Sequence, residues 1–463
     1  MAQEFDVVVI GGGPGGYATA LYGAAAGLSV GMIEEARVGG TCLHRGCIPA
    51  KELLQTAEVL RTVAGAKEFG VDAGQPALDL SVSQQRKQAI IDRLTKGLES
   101  VLKGRKVTVF PGTGSVADAA GRVARVSDGT EIAGTKALVL ATGSAPRSLP
   151  GLDLDGERIM SSDHVLNLDR VPPRVAVIGG GAIGCEFASF LGDVGSEVTV
   201  LEVLPQILTG VDKDAADVVV KAFRKRGLKT LTGVKVAGAE ANGDGVTVRY
   251  DAGKGEESLP VDLVVVSVGR RPRSDGIGLE GSGVEVDERG FVVVDGLMRT
   301  TVPGVHAVGD LVATPQLAHV GFAEAIVTVK AILGEPVVPI DYAKVPWGIY
   351  CHPEVAFCGL TEAQAKEAGY DVVTSAHRFM GNGRALIIGE SDGLVKVVAE
   401  RNGPILGVHI AGPWATELLA EGYLAVNWEA LPEEVAAFVH PHPTLSEVFG
   451  ETALSLTGRS LHG

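Results

Sequence analysis

Hydrophobic residues near the start of this chain form an unbroken run rather than an alternation: Asp6-Val-Val-Val-Ile-Gly-Gly-Gly-Pro-Gly-Gly-Tyr17. A run that short and that rich in β-branched residues predicts a strand buried on both faces. The glycines end it, and the Ala-rich stretch that follows Pro14 predicts a helix. A second strand closes the unit at residues 29–34, Ser-Val-Gly-Met-Ile-Glu. The whole pattern returns 168 positions later as Arg174-Val-Ala-Val-Ile-Gly-Gly-Gly-Ala-Ile-Gly-Cys185, closing at residues 197–202. The chain carries an internal repeat.

Other runs fill in the coarse plan. Residues 137–144 and 263–271 predict short buried strands that end in glycine turns, and Pro172-Pro173 reads as the entry to the second repeat. Residues 131–134 and 242–245 read as hairpin turns within β-meanders. Past about residue 340 the repeat stops. Strands over 394–398 and 405–410, with an amphipathic helix over 416–428, predict an α+β tail.

Each repeat has a chemical logic. The first glycine (Gly11, Gly179) permits a tight turn, and the second (Gly13, Gly181) lets a pyrophosphate approach the backbone. The third (Gly16, Gly184) lets helix and strand pack closely, and the helix N-terminus offers amides to phosphate. Glu34 and Glu202 each follow the first glycine of their set by 23 positions. That is where an acid accepts hydrogen bonds from an adenosine ribose. Two dinucleotide-binding units are expected. Glu202 would repel a 2′-phosphate, and Val203, Leu204 and Pro205 offer no cation to receive one, so the second unit favours NAD over NADP.

Composition narrows the function. The 463 residues hold 41 basic and 56 acidic side chains, a formal charge of −15. That balance argues against nucleic acid and against an anionic membrane surface. An apolar share of 46% excludes disorder as the main state. Residues 7–33 are free of charge and long enough to imitate a membrane span, yet eight glycines and Pro14 interrupt them. No basic residue precedes them, as a signal peptide would require. A soluble, cytoplasmic protein is expected.

Five cysteines (42, 47, 185, 351 and 358) are too few and too scattered for a secreted disulfide framework. Cys42 and Cys47 could form half a zinc site, a disulfide, or two unrelated buried thiols. Zinc needs a second ligand pair, which the spacing of Cys351 and Cys358 does not suggest. Five residues of regular helix rise about 7.5 Å, beyond the ~7 Å within which cysteine Cα atoms can be bridged. Closure therefore requires a break. Gly46 supplies flexibility, and Pro49 is tolerated only in a first helical turn. A helix is expected from near Cys47, with Cys42 on the loop before it. Cys47 at a helix N-terminus with Lys51 four residues on favours a thiolate, and so a redox-active pair. Cys185, Cys351 and Cys358 read as core.

Gly-Gly-Thr-Cys42 with Gly-Cys47-Ile-Pro-Ala-Lys51, following such a glycine motif, resembles the FAD-dependent pyridine nucleotide-disulfide oxidoreductases. The resemblance spans essentially the whole chain. Gly-Pro-Gly-Gly-Tyr17 and His440-Pro-His442-Pro-Thr-Leu-Ser-Glu447 resemble the dihydrolipoamide dehydrogenase branch. His44-Arg45 and Ala50 depart from the residues usual there. The resemblance implies two Rossmann-like domains plus a C-terminal α+β dimerisation domain. Its stretches would be 1–148 (FAD), 149–272 (NAD), 273–340 (the return to the FAD domain) and 341–463 (the interface).

Further roles follow from the resemblance. Gly11, Gly13, Pro14, Gly15, Gly16, Glu34, Gly40, Thr41 and Lys51 would line FAD. So would Gly114, Thr142, Gly143, Ser144, Gly309, Asp310, Gln316, Leu317, Ala318 and His319. NAD would take Gly179, Gly181, Gly184, Glu186, Glu202, Val236 and Gly269. Cys42 and Cys47 would be the redox disulfide, and His442 the base, oriented by Glu447, with His440 its rival. No metal is implied. A homodimer serving lipoyl domains of 2-oxo acid dehydrogenase or glycine cleavage complexes is implied. A glutathione- or mycothiol-type reductase is the nearest alternative, and a non-catalytic flavin-bearing scaffold a more distant one.

Overall fold

The computed structural model describes residues 2–243 and 245–462. They form two compact units: Met1–Glu52 with Ser81–Arg147 and Arg270–Tyr342, and Leu53–Leu80 with Ser148–Gly269 and Ala343–Gly463.

The first unit is built on the apolar runs. Strands Thr108–Pro111, Val30–Glu34, Gln3–Ile10 and Glu131–Leu140 lie parallel in that order, Val7 facing Val30 on one side and Ala137 on the other. Val7, Val8, Val9 and Ile10 are at most 2% exposed, which accounts for an uninterrupted run of apolar residues. The far end of Glu131–Leu140 pairs with Val305–Ala307, and its near end with a meander of Val123–Val126 and Gly114–Asp118. Residues 131–134 are therefore strand, not the expected turn. The turn lies just before, where Asp128 accepts from the Thr130 amide and Gly129 takes φ +92°. An Asp-Gly pair suits that bend, whereas Ile132 is fully buried in the sheet.

The second unit repeats the plan. Strands Lys229–Thr232, Glu197–Glu202, Arg174–Ile178, Leu263–Val266 and Ile159–Ser161 are parallel, in that order. A three-stranded meander follows, and Asn242 pairs with Gly245 where its first hairpin closes. Asp244, within that expected turn, lies outside the described residues. The tail forms a five-stranded antiparallel sheet in which Leu394–Glu400 and Ile405–Gly412 are central, covered by helices Ala415–Asn427 and Glu447–Leu456. Cys185, Cys351 and Cys358 are at most 1% exposed, as core thiols should be. Among the described residues, no helix is long and apolar enough to cross a membrane.

Candidate active site

Both glycine turns rest on the same two close approaches. Gly11 has φ +103°, and a Cβ there would lie 2.3 Å from the Ala141 carbonyl oxygen; one on Gly16 would lie 1.8 Å from the oxygen of Gly11. Gly179 and Gly184 repeat this, at 2.4 Å from the Ser267 oxygen and 1.9 Å from that of Gly179. The acids repeat too. Glu34 accepts from the Gly12 amide at 2.6 Å and from Ala36 at 2.9 Å; Glu202 accepts from Gly180 at 2.6 Å and from Leu204 at 2.8 Å. Each carboxylate oxygen keeps a lone pair for a further donor.

In the first unit, other segments converge on the turn at residues 11–16. The Gly39 amide donates to the Gly12 oxygen at 2.8 Å, and Gly40 lies against Gly13. Pro14 opens the helix Pro14–Ala25, and Gly15 faces Val308 and Gly309. Asp310 sits on the short turn Gly309–Leu311, where its carboxylate accepts from the Ser144 hydroxyl. Arg270 holds Ser144 in turn, donating to its hydroxyl at 2.7 Å and its carbonyl at 2.9 Å. Thr142 donates to the Arg273 carbonyl, and Gly143 accepts from the Arg273 amide.

Behind this turn lies Glu324, fully buried on the helix Ala318–Leu333. It accepts from the Gly309 amide at 2.6 Å, the Thr314 hydroxyl at 2.7 Å and the Tyr342 hydroxyl at 3.0 Å. Burial nevertheless pushes its carboxyl up to about 7. Leu317 caps the same helix, Ala318 and His319 open it, and Gln316 precedes it with a buried side-chain amide nitrogen that has no hydrogen-bond partner. Gly114 sits among apolar neighbours, Ile10 and Ile33.

The cysteines flank a helix break. Cys42 lies on the short helix Gly40–Arg45 rather than on a loop, because Gly39 and Gly40 already turn the chain (φ +114° and +58°) and start a helix before Gly46 interrupts it. Cys47 then opens the helix Cys47–Gly65, with Lys51 one turn on. The Cys42 and Cys47 thiols are hydrogen-bonding neighbours. That hydrogen bond, burial and the neighbouring sulfur push the Cys42 thiol far up, against the pull of Lys51. Tyr17 packs on Phe322, and its phenol is pushed up to about 12 by burial first and then by the two thiols.

In the second unit, Glu186 is buried and accepts from the Tyr350 amide at 2.9 Å. Val236 pairs with Tyr250 in the meander, and Gly269 has φ +104° with nothing within 4 Å of its Cβ position. In the tail, His442 is exposed, and its Nδ1 lies 2.8 Å from Glu447 Oε2. The other oxygen of Glu447 accepts from Asn382 at 2.9 Å. His440 is packed away against Gly450 and paired with Glu421, which leaves His442 as the outward imidazole.

Comparison with known proteins agrees with this geometry. The family model for pyridine nucleotide-disulphide oxidoreductases matches residues 5–325, and that for the family's dimerisation domain matches residues 345–453. The chain belongs to this family. Dihydrolipoyl dehydrogenases of Bacillus subtilis and Thermus scotoductus are 40% and 41% identical to it, over 100% and 99% of both chains. The crystal structure of LpdA from Mycobacterium tuberculosis superposes with a TM-score of 0.90 at 26% identity, covering 98% of this chain and 100% of that one.

Such oxidoreductases use FAD and NAD, and the residues present fit both. Gly13 and Gly181 have ordinary extended backbones (φ −73° and −72°), and a Cβ on Gly181 would meet nothing within 4 Å. The protein's own packing does not call for glycine at Gly181; a pyrophosphate brought close to that backbone would. The unpartnered amide of Gln316 likewise suits a polar ligand beside the Asp310 turn. Sequence reading of this oxidoreductase missed Arg270, Glu324 and Asn382. Arg270 and Asn382 act on residues far away along the chain and Glu324 on the Gly309 amide 15 positions back, and no local motif marks any of them.

Proposed function

We propose that this chain is a dihydrolipoyl dehydrogenase, oxidising protein-bound dihydrolipoamide and reducing NAD⁺. The carrying observation is the Cys42 and Cys47 pair, hydrogen-bonding neighbours across the Gly46 break beside the first glycine turn. The names of the full-length relatives support the choice of substrate.

Bound FAD supplies a two-electron relay between the sulfur pair and the nicotinamide. Gly11, Gly13, Glu34, Ser144, Asp310 and Gln316 would hold it; Gly179, Gly181 and Glu202 would hold NAD. The protein's own part is thiol–disulfide exchange. His442, its tautomer fixed by Glu447, takes a proton from one substrate thiol. The resulting thiolate attacks Cys42 of the oxidised pair, the Cys42–Cys47 bond breaks, and Cys47 leaves as a thiolate near Lys51. The second substrate thiol loses its proton to solvent, its sulfur attacks the first and displaces Cys42, closing the lipoyl disulfide, and Cys42 takes up the proton that His442 holds. A thiol held as far up as that of Cys42 needs such a proton carrier.

The match to the dimerisation domain supports a homodimer. Lipoyl domains are the proposed partners. A cytoplasmic location is part of the same reading, supported by five cysteines too few and too scattered for a secreted disulfide framework.

The test compares NAD⁺ reduction by dihydrolipoamide with NADPH-driven reduction of glutathione disulfide, in the wild type and in Cys47→Ser. Dihydrolipoamide should be the working substrate, and Cys47→Ser should lose it while keeping its flavin colour. A preference for glutathione disulfide would overturn the substrate, and full turnover by Cys47→Ser would overturn the mechanism.

A further inference from the structure

Asn382 is a buried residue with an amide whose orientation the structure fixes. Its Oδ1 accepts from the Ala385 amide at 2.9 Å, capping the helix Gly383–Ile387. That partner is a donor, so the oxygen must face it, and the NH₂ group must face the other way. There Nδ2 meets two acceptors, the Thr444 carbonyl and Glu447 Oε1, both at 2.9 Å. Both amide hydrogens are used. Glu447 is thereby held at each end, by Asn382 through Oε1 and by His442 Nδ1 through Oε2 at 2.8 Å. It cannot turn without breaking one of the two. Asn382 also ties down the Thr444 carbonyl, two residues past His442.

We infer that Asn382 is the positioning residue of the catalytic base: it locks the carboxylate that sets the tautomer and direction of His442. This rests on the reading of His442 as the base. The Asn382–Glu447–His442 line fixes the proton on Nδ1 and turns the basic Nε2 outward. Arg384 lies on the helix that Asn382 caps and Arg378 ends the strand before it, while several titratable groups on the surrounding elements have partners of their own. His440 pairs with Glu421, Glu451 with His462 and Lys396 with Asp212, Asp214 and Glu362; Glu434 caps the Leu431 amide, and His377 lies 3.4 Å from the Ser455 hydroxyl.

The test uses the flavin-loaded enzyme with Asn382→Ala, Asn382→Asp and His442→Gln. Asn382→Ala should lower kcat for dihydrolipoamide roughly 10- to 100-fold, the scale of a displaced catalytic group, with KM for NAD⁺ and flavin absorbance retained. Asn382→Asp keeps the oxygen that caps Ala385, so it guards against a folding failure. It sets a second carboxylate against Glu447 and should move the acid limb of the kcat/KM profile about one pH unit upward, because added negative charge favours the imidazolium. Wild-type kcat and an unmoved profile in both Asn382 variants, with His442→Gln inactive, would overturn this inference alone. Full activity in His442→Gln would overturn the reading beneath it.

Discussion

Glu202 holds the Gly180 amide at 2.6 Å, and Glu34 holds that of Gly12 at the same distance, 168 positions earlier. One carboxylate oxygen fixes the glycine turn while the other fixes the chain just past the strand. Turn and acid are therefore a single rigid part in each repeat, and loss of the acid should loosen the turn proposed to bind phosphate as well as remove the proposed ribose contact.

Glu202→Ala should raise KM for NAD⁺ about tenfold or more, as expected when a charge-assisted hydrogen bond is lost. Flavin content should not change, since Glu34 serves the other turn. Steady-state kinetics with an absorbance check on the flavin decides it, and an unaltered KM would sink the role of Glu202.

The glycines of the second turn should separate by what their missing Cβ would meet. Gly184→Ala places a methyl 1.9 Å from the Gly179 oxygen and should cost more than about 2 kcal/mol of stability. Gly181→Ala meets nothing and should stay within about 0.5 kcal/mol of the wild type, yet bind NAD⁺ at least about tenfold more weakly. Denaturant melts paired with nucleotide titration would reveal the contrast. Equal stability losses would contradict it.

Arg270 should matter to flavin retention through Ser144 and Asp310. Arg270→Ala frees the Ser144 hydroxyl that donates to Asp310, and FAD should dissociate about tenfold more readily. Arg270→Lys should not restore binding, because one ammonium cannot copy a guanidinium that reaches hydroxyl and carbonyl together. The flavin-to-protein absorbance ratio after gel filtration reads this directly, and a wild-type ratio in both variants would refute it.

Glu324 makes stability depend on pH with a definite sign. With its folded value at about 7, the native protein keeps a proton that the unfolded chain releases near the ordinary carboxylate value. Stability contributed by this group is complete below that ordinary value and falls as pH climbs through the window up to about 7, by as much as ~3 kcal/mol. Glu324→Gln should remove that slope. Denaturation midpoints of both proteins at about pH 5 and about pH 8 test it; parallel slopes would rule out the buried proton.

The sequence made the two glycine turns, their acids and the cysteine pair legible, because each is a local pattern whose residues sit within a few turns of one another. His442 with Glu447 was legible only through the family resemblance. Arg270 was not legible, since Ser144 and Asp310 lie 126 and 40 positions from it and nothing in Gly269-Arg270-Arg271 names them. Asn382 was not legible either, since the acceptors of its amide, Thr444 and Glu447, lie 62 and 65 positions from it and nothing around it names them. The one misplaced turn, at residues 131–134, shows a glycine read as a bend where burial of Ile132 kept the chain extended. Cys42 went from loop to helix because two left-handed glycines in a row begin a new helical turn.

The interruption at Gly46 also governs distance. A Cβ there would press to 3.0 Å on the Thr41 oxygen and 3.4 Å on the Cys42 Cα, so the helical piece that carries Cys42 would have to give by a few tenths of an ångström. A single hydrogen atom in place of a methyl group thus acts as the gauge between two reactive atoms, so that the reach of the redox pair is determined by a residue with no redox chemistry of its own.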